Sequence, residues 1–263
     1  MNHRGGFALI KSTWLSWLQY RSFFFVLAFG WMIPPLVAMF VWLAASGQDG
    51  IQGIQRSEFV AYYLILILVN QITYSQANWT LGDVIREGLL NNWLLRPISP
   101  IYQVLSSEFA GKFVYLVFTV PLTILLGLIL RPKFDLSFTQ LSLFLLSLIL
   151  AWGLRFVWGY WLALLAFWFT RADALLALQD SLVFIFSGMI APVSLLPGFL
   201  QDIATFLPFR YMVGFPVEIF TNQLTLAEIG LGLIIQSTWL IVALTLCSQL
   251  WKNGLRRYSA IGG

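Results

Sequence analysis

The chain has 263 residues, of which 59% are hydrophobic and 10% charged, against about 25% charged in an ordinary soluble domain; its mean hydropathy is +0.82. The net charge of +4 comes from 15 Lys+Arg against 11 Asp+Glu, which is scarcity of charge rather than a dense basic patch. These figures exclude a soluble globule, a disordered chain and a nucleic-acid binder, and they leave a multi-pass membrane protein.

Residues 7–22 open the chain's pattern. Phe7, Ile10, Trp14, Trp17 and Leu18 recur at helical spacing, with Lys11, Ser12, Ser16 and Gln19 mostly opposite. This predicts an amphipathic helix lying in the membrane interface. A helix needs about 20 apolar residues to cross the hydrocarbon. Stretches 23–45, 59–79, 109–130, 141–170, 174–192 and 229–251 qualify as spans, the fifth being the shortest. Continuous Leu/Ile/Phe runs argue for helices, since barrel strands alternate in polarity. The first span shows no small-residue cleavage pattern and is read as retained. Its Pro34-Pro35 pair removes two backbone donors and predicts a bend suited to a gate. In the second span, Asn70, Tyr74 and Asn78 approach one helical side. They line an inner vestibule or hydrogen-bond between helices.

Residues 81–102 follow, too long for a tight turn and too apolar for a solvated loop. Asp83, Arg86 and Glu87 hold a helical register. Leu89, Leu90, Trp93, Leu94 and Leu95 then offer a hydrophobic knob, and Arg96-Pro97 and Ser99-Pro100 end it. A short apolar helix at this place either meets a protein partner or lies on the membrane surface. The next three spans each carry one charged residue: Lys112, Arg155 and Asp180. Arg155 anchors or ion-pairs, with Asp180 or Glu108 as candidate partners, or it contacts substrate.

Residues 193–222 contain Leu196-Pro197, Leu207-Pro208 and Phe215-Pro216 among many aromatics. Two short helices, 199–207 and 213–221, are predicted to fold back into the outer leaflet and cap a pathway. Phe199, Phe206, Arg210, Tyr211 and Glu218 are its notable side chains. Irregular backbone at that depth requires protein or water against it.

The loops give orientation. Arg4, Lys11, Arg21, Arg86, Arg96, Lys112, Arg171, Lys252, Arg256 and Arg257 fall on one side, and Arg56, Arg131, Lys133 and Arg210 on the other. The positive-inside bias predicts both termini in the cytoplasm. The single Cys247 and single His3 leave no intrachain disulfide, cysteine cluster or histidine dyad. A Gly-x4-Gly-Lys-Ser/Thr phosphate loop does not occur. No catalytic or metal-ligating residue is assigned, and no cofactor is expected on this chain.

The whole pattern resembles the membrane subunit of an ABC transporter of the ABC-2 export type: an all-α membrane fold with six spans. The matching parts are the interfacial helix, the spans, the helix between spans two and three and the outer hairpin. Two strings carry it further, EGLLNNWLLRPISPIY at 87–102 and LPFRYMVGFPVEIF at 207–220. The resemblance implies ABC ATPase subunits that bind ATP and Mg on the cytoplasmic side. It also implies a second permease subunit, identical or homologous, and a bacterial-type cytoplasmic membrane. Leu89, Leu90, Trp93 and Leu94 would sit in a groove of the ATPase, with Arg86, Glu87 and Arg96 at its rim. The cargo is left open among amphipathic and lipid-like molecules. A stand-alone secondary transporter or channel is the main alternative, although the halves show no internal repeat. A lipid-modifying transferase is disfavoured by its scattered carboxylates and lone histidine.

Overall fold

The computed structural model describes residues 3–47, 50–169 and 173–258, and every regular element among them is helical. The expected span end at Thr170 and the basic Arg171 lie outside the described residues, as do the side chains of Arg4 and Arg21. In chain order the α-helices are α1 (His3–Gln19), α2 (Arg21–Ala45), α3 (Arg56–Thr73), α4 (Ala77–Arg86), α5 (Leu90–Leu94) and α6 (Pro100–Leu130). They continue as α7 (Phe138–Leu164), α8 (Asp173–Phe186), α9 (Gly198–Phe206), α10 (Pro208–Met212), α11 (Gly214–Phe220) and α12 (Leu226–Arg257). A 3-10 turn, Leu165–Phe167, extends α7, and another, Val193–Leu195, precedes α9.

α3 is the central rod. It is buried on every side from Phe59 to Ile67, as a helix apolar all round should be. α2, α6, α7 and α11 pack around it, α12 runs along α7, and α1 lies along α6. In lipid the apolar effect does not drive helices together, so close packing and hydrogen bonds must hold this bundle. Tyr62 and Tyr63 supply both, being fully buried yet hydrogen-bonded.

Local chemistry explains where the long helices begin. α3, α7 and α12 all start at one end of the bundle, and each starts with a capping box. Glu58 accepts from Gln55 N at 2.8 Å, Gln140 from Ser137 N at 3.0 Å, and Glu228 from Thr225 N at 2.7 Å. Each box satisfies donors that a helix start otherwise leaves open. Pro100 and Pro208 take the first helical positions of α6 and α10, where a missing N–H costs nothing.

Among the described residues, five helical stretches are long and apolar enough to cross a membrane: Ser22–Ala45, Arg56–Arg86 (which takes in both α3 and α4), Pro100–Leu130, Phe138–Phe167 and Leu226–Arg257. The expected fifth span, 174–192, is different. Its helix α8 stops at Phe186 after 14 residues, about 21 Å at 1.5 Å per residue, short of the roughly 30 Å hydrocarbon core. The chain then runs irregularly to Pro192. Gly188, at φ +87°, makes the turn that a side chain would strain. The freed carbonyls are met by protein. Tyr62 OH donates to Gly188 O at 3.0 Å, and Tyr63 OH and Trp42 Nε1 both donate to Ile190 O at 2.8 Å. Sequence length counted apolar residues here, and could not see that the backbone leaves the helix.

Two other expected boundaries shift. Span three was placed at 109–130, but α6 begins at Pro100, because Gln103, Ser106 and Glu108 are buried polar residues inside the helix. The outer segment was read as two helices and is three. Leu207-Pro208 separates α9 from α10, and Val213, at φ −141°, separates α10 from α11. The amphipathic helix starts at His3 rather than Phe7. Trp17 stacks on Phe24 at 4.4 Å and lies beside Gly111 of α6, while Phe7 is exposed.

Candidate functional site

The second span is broken. α3 makes its last helical bond from Tyr74 N to Asn70 O at 2.8 Å. Tyr74 then turns to ψ 135°, and α4 starts three residues on at Ala77. A break inside a bundle exposes carbonyls at one helix end and N–H groups at the other. Both ends are capped by charge of the matching sign. At the α4 start, Glu108 Oε1 accepts from Gln76 N at 2.5 Å and from Ser75 Oγ at 2.8 Å. Ser75 Oγ in turn accepts from Ala77 N at 3.2 Å. At the α3 end, Lys112 Nζ donates to Tyr74 O. Arg155 Nη1 donates to Asn70 Oδ1 at 2.8 Å and Thr73 Oγ1 at 3.1 Å, and its guanidinium lies 5.3 Å from the Tyr74 ring centroid.

The cluster is closed and connected. Lys112 Nζ sits 3.2 Å from Glu108 Oε2. Gln76 Nε2 donates to Tyr115 OH at 3.0 Å, and the Tyr74 ring lies 4.7 Å from that of Trp31 on α2. The cavity among Gln71, Tyr74, Gln76, Glu108, Lys112 and Tyr115 is about 10 Å³, room for one water at most. In this conformation the cluster is a joint between α3 and α4, not a substrate chamber.

Several expectations for this region are corrected. The span read as 59–79 is not one continuous helix: α3 ends at Thr73 and α4 begins at Ala77 within it. Asn70, Tyr74 and Asn78 do not lie on one continuous helix, because the unwound turn interrupts the four-residue register; Asn70 does hydrogen-bond between helices, to Arg155 of α7, and Asn78 is buried within α4. Arg155 pairs with neither expected carboxylate. Glu108 is bound to Lys112, and Asp180 on α8 is exposed. The signal that sequence reading missed was the four-residue spacing of Glu108 and Lys112 in an apolar span facing the polar run at 70–78.

α4 leads from this joint to α5. The knob at 89–95 is two-sided. Leu90 is fully buried with Leu81, Ile85, Val104 and Leu164, and Trp93 packs against the same cluster. Trp93 therefore turns partly inward. Leu95, at 84% exposure, is the tip, with Leu89 and Leu94 also exposed. Glu87 and Arg96 are exposed, and Arg86 is ion-paired with Asp83. Pro34 and Pro35 lie inside an uninterrupted α2, the first exposed and the second buried.

At the opposite end, α9, α10 and α11 are pinned to the bundle. The partly buried Arg210 and the buried Glu218 form an ion pair, Nη2 to Oε2 at 2.6 Å and Nε to Oε2 at 3.0 Å. Tyr211 OH donates to Thr205 O at 2.7 Å. The fully buried Gln236 of α12 donates to Tyr211 O at 2.8 Å and Ser147 O at 3.1 Å, and accepts from Ser147 Oγ at 3.2 Å. Gly232 gives the Phe215 ring its place, since a Cβ there would lie 2.2 Å from the ring. Phe199 and Phe206 instead face outward. Between this hairpin and the starts of α3 and α12 lies a cavity of about 680 Å³ whose walls include Arg210, Glu218, Glu58 and Glu228.

The profile of a family described as ABC-2 family transporter protein matches residues 29–262. Comparison with curated proteins and with solved structures returned no match. The chain belongs to that ABC-2 family. It is a multi-pass membrane component of an ABC transporter, a permease rather than a catalytic subunit.

Proposed function

We propose that this chain is the permease subunit of an ATP-driven exporter, moving an amphipathic or lipid-like small molecule across a bacterial-type cytoplasmic membrane. Two such subunits, identical or homologous, enclose the route. Separate ABC ATPases hold ATP and Mg beneath it, on the side to which both termini face. The observation that carries this reading is the exposed apolar tip of α5, Leu89, Leu94 and Leu95, joined through α4 to a capped break inside the second span.

A soluble domain gripping that tip displaces α4 as a lever, and the joint passes the movement to α3. ATP drives the cycle only if the two membrane conformations differ in affinity for the closed ATPases. The hairpin of α9 to α11 lies in the outer leaflet, and the polar cavity behind it is an exit vestibule. Arg155 has a structural part in this account, since its Nη1 is already engaged at the joint.

Co-purification tests the reading. A Leu89→Asp, Leu95→Asp variant, altered only at exposed positions, should lose its ATPase partner and remain inserted in the membrane. Retention of the ATPase at native stoichiometry would reject the docking assignment.

A further inference from the structure

We propose that a groove at the α4–α5 end of the bundle binds one acyl chain of an anionic phospholipid, with the headgroup resting on Lys252 and Arg256. The groove lies between the start of α6, α7 and the last turns of α12 and encloses about 540 Å³. That falls within the roughly 300–1,000 Å³ of sites that hold small ligands. Its walls are formed largely by Leu94, Ile101, Phe156, Val157, Leu244 and Leu255. Two of its polar residues are spent internally: Cys247 Sγ donates to Val157 O at 3.3 Å and Ser248 Oγ to Thr245 O at 3.0 Å. The cavity therefore favours hydrocarbon over a polar ligand.

Charge identifies the kind of lipid. Trp251 lines the groove, and Lys252, the next residue, is exposed. Leu255 lines it too, and Arg256 after it is exposed. Arg96, also exposed, stands two residues beyond Leu94. No acidic residue occurs between Gly88 and Ser107, and on α12 the only one is Glu228, at the far end of the helix. An apolar slot with a tryptophan in its wall and exposed cations one or two residues from its lining positions matches the depth profile of an anionic phospholipid. Leu94 belongs to α5, so the bound lipid touches the helix assigned above to the ATPase. Lipid binding itself does not rest on that assignment.

The test uses the purified chain alone. It is mixed in detergent with phosphatidylglycerol or with phosphatidylcholine of identical acyl chains, and retained lipid is counted by native mass spectrometry. Phosphatidylglycerol should be retained in preference. Lys252→Gln with Arg256→Gln should lower that preference by about fivefold for each cation removed. Ser248→Trp, which fills the groove, should abolish retention of either lipid while the helical circular dichroism is unchanged. Equal retention of the two lipids, or a phosphatidylglycerol preference that survives the rim variant, would overturn the proposal.

Discussion

Glu108, on α6, accepts the backbone N–H of Gln76 at 2.5 Å, and so caps a helix to which it does not belong. The same carboxylate holds Lys112, which caps the preceding helix end through Tyr74 O. One ion pair on α6 thus closes both sides of the break in the second span. The break persists because its freed groups find charge rather than lipid, the condition under which irregular backbone is tolerated at membrane depth.

Glu108→Ala should therefore be among the most damaging single changes. It removes a cap, about 0.5–2 kcal/mol, and strands a partly buried lysine, up to about 3 kcal/mol. Glu108→Ala with Lys112→Leu should recover part of the loss, because no charge is left unpaired. Thermal unfolding of the purified variants reads both effects. A single variant as stable as the native chain would show that the joint does not depend on this pair.

Arg155 and Asn70 should be strongly coupled. Hydrogen bonds to a charged donor contribute about 1.5–3 kcal/mol, and Arg155 makes two of them, at 2.8 and 3.1 Å. Arg155→Lys keeps the charge but replaces the flat guanidinium over the Tyr74 ring with a compact ammonium, so it should rescue only part of the loss. In a double-mutant cycle with Asn70→Ala the two losses should be clearly less than additive. Full additivity would place the arginine's contribution elsewhere.

The Arg210–Glu218 pair makes a separate prediction at the other end. Glu218→Gln leaves the partly buried guanidinium without its counter-charge and should cost up to about 3 kcal/mol. Arg210→Met with Glu218→Leu should be markedly more stable than either single change. If unfolding temperature instead falls in step with the number of substitutions, the pair is not the hairpin's clasp.

Much of this architecture was legible because its cause is local. Apolar runs reported the long helices, but their starts, at Pro100 and at the boxes of Gln55, Ser137 and Thr225, lie upstream of those runs in polar residues that an apolar count passes over. What composition could not report was the course of the backbone within apolar sequence. α8 ends at Phe186 because carbonyls beyond it find Tyr62, Tyr63 and Trp42, residues more than a hundred positions away. The break at 74–76 likewise rests on Glu108, Lys112 and Arg155, contributed by two other helices. The inward turn of Trp93 depends on a cavity that α4, α6 and α7 build together. Apolar character marked 89–95 as a knob without saying which residues it would spend on its own core.

Single-cysteine cross-linking tests the central claim, that the α5 tip grips an ATPase, most directly. Cys247, the one natural cysteine, is replaced by Ala. Leu95→Cys or Leu90→Cys is then introduced into the permease, and the membranes are treated with a short thiol–amine cross-linker. The account predicts an ATPase adduct at the exposed position 95 and none at the buried position 90. A position 95 that never reaches the ATPase, and reacts only with reagents dissolved in the bilayer, would contradict it.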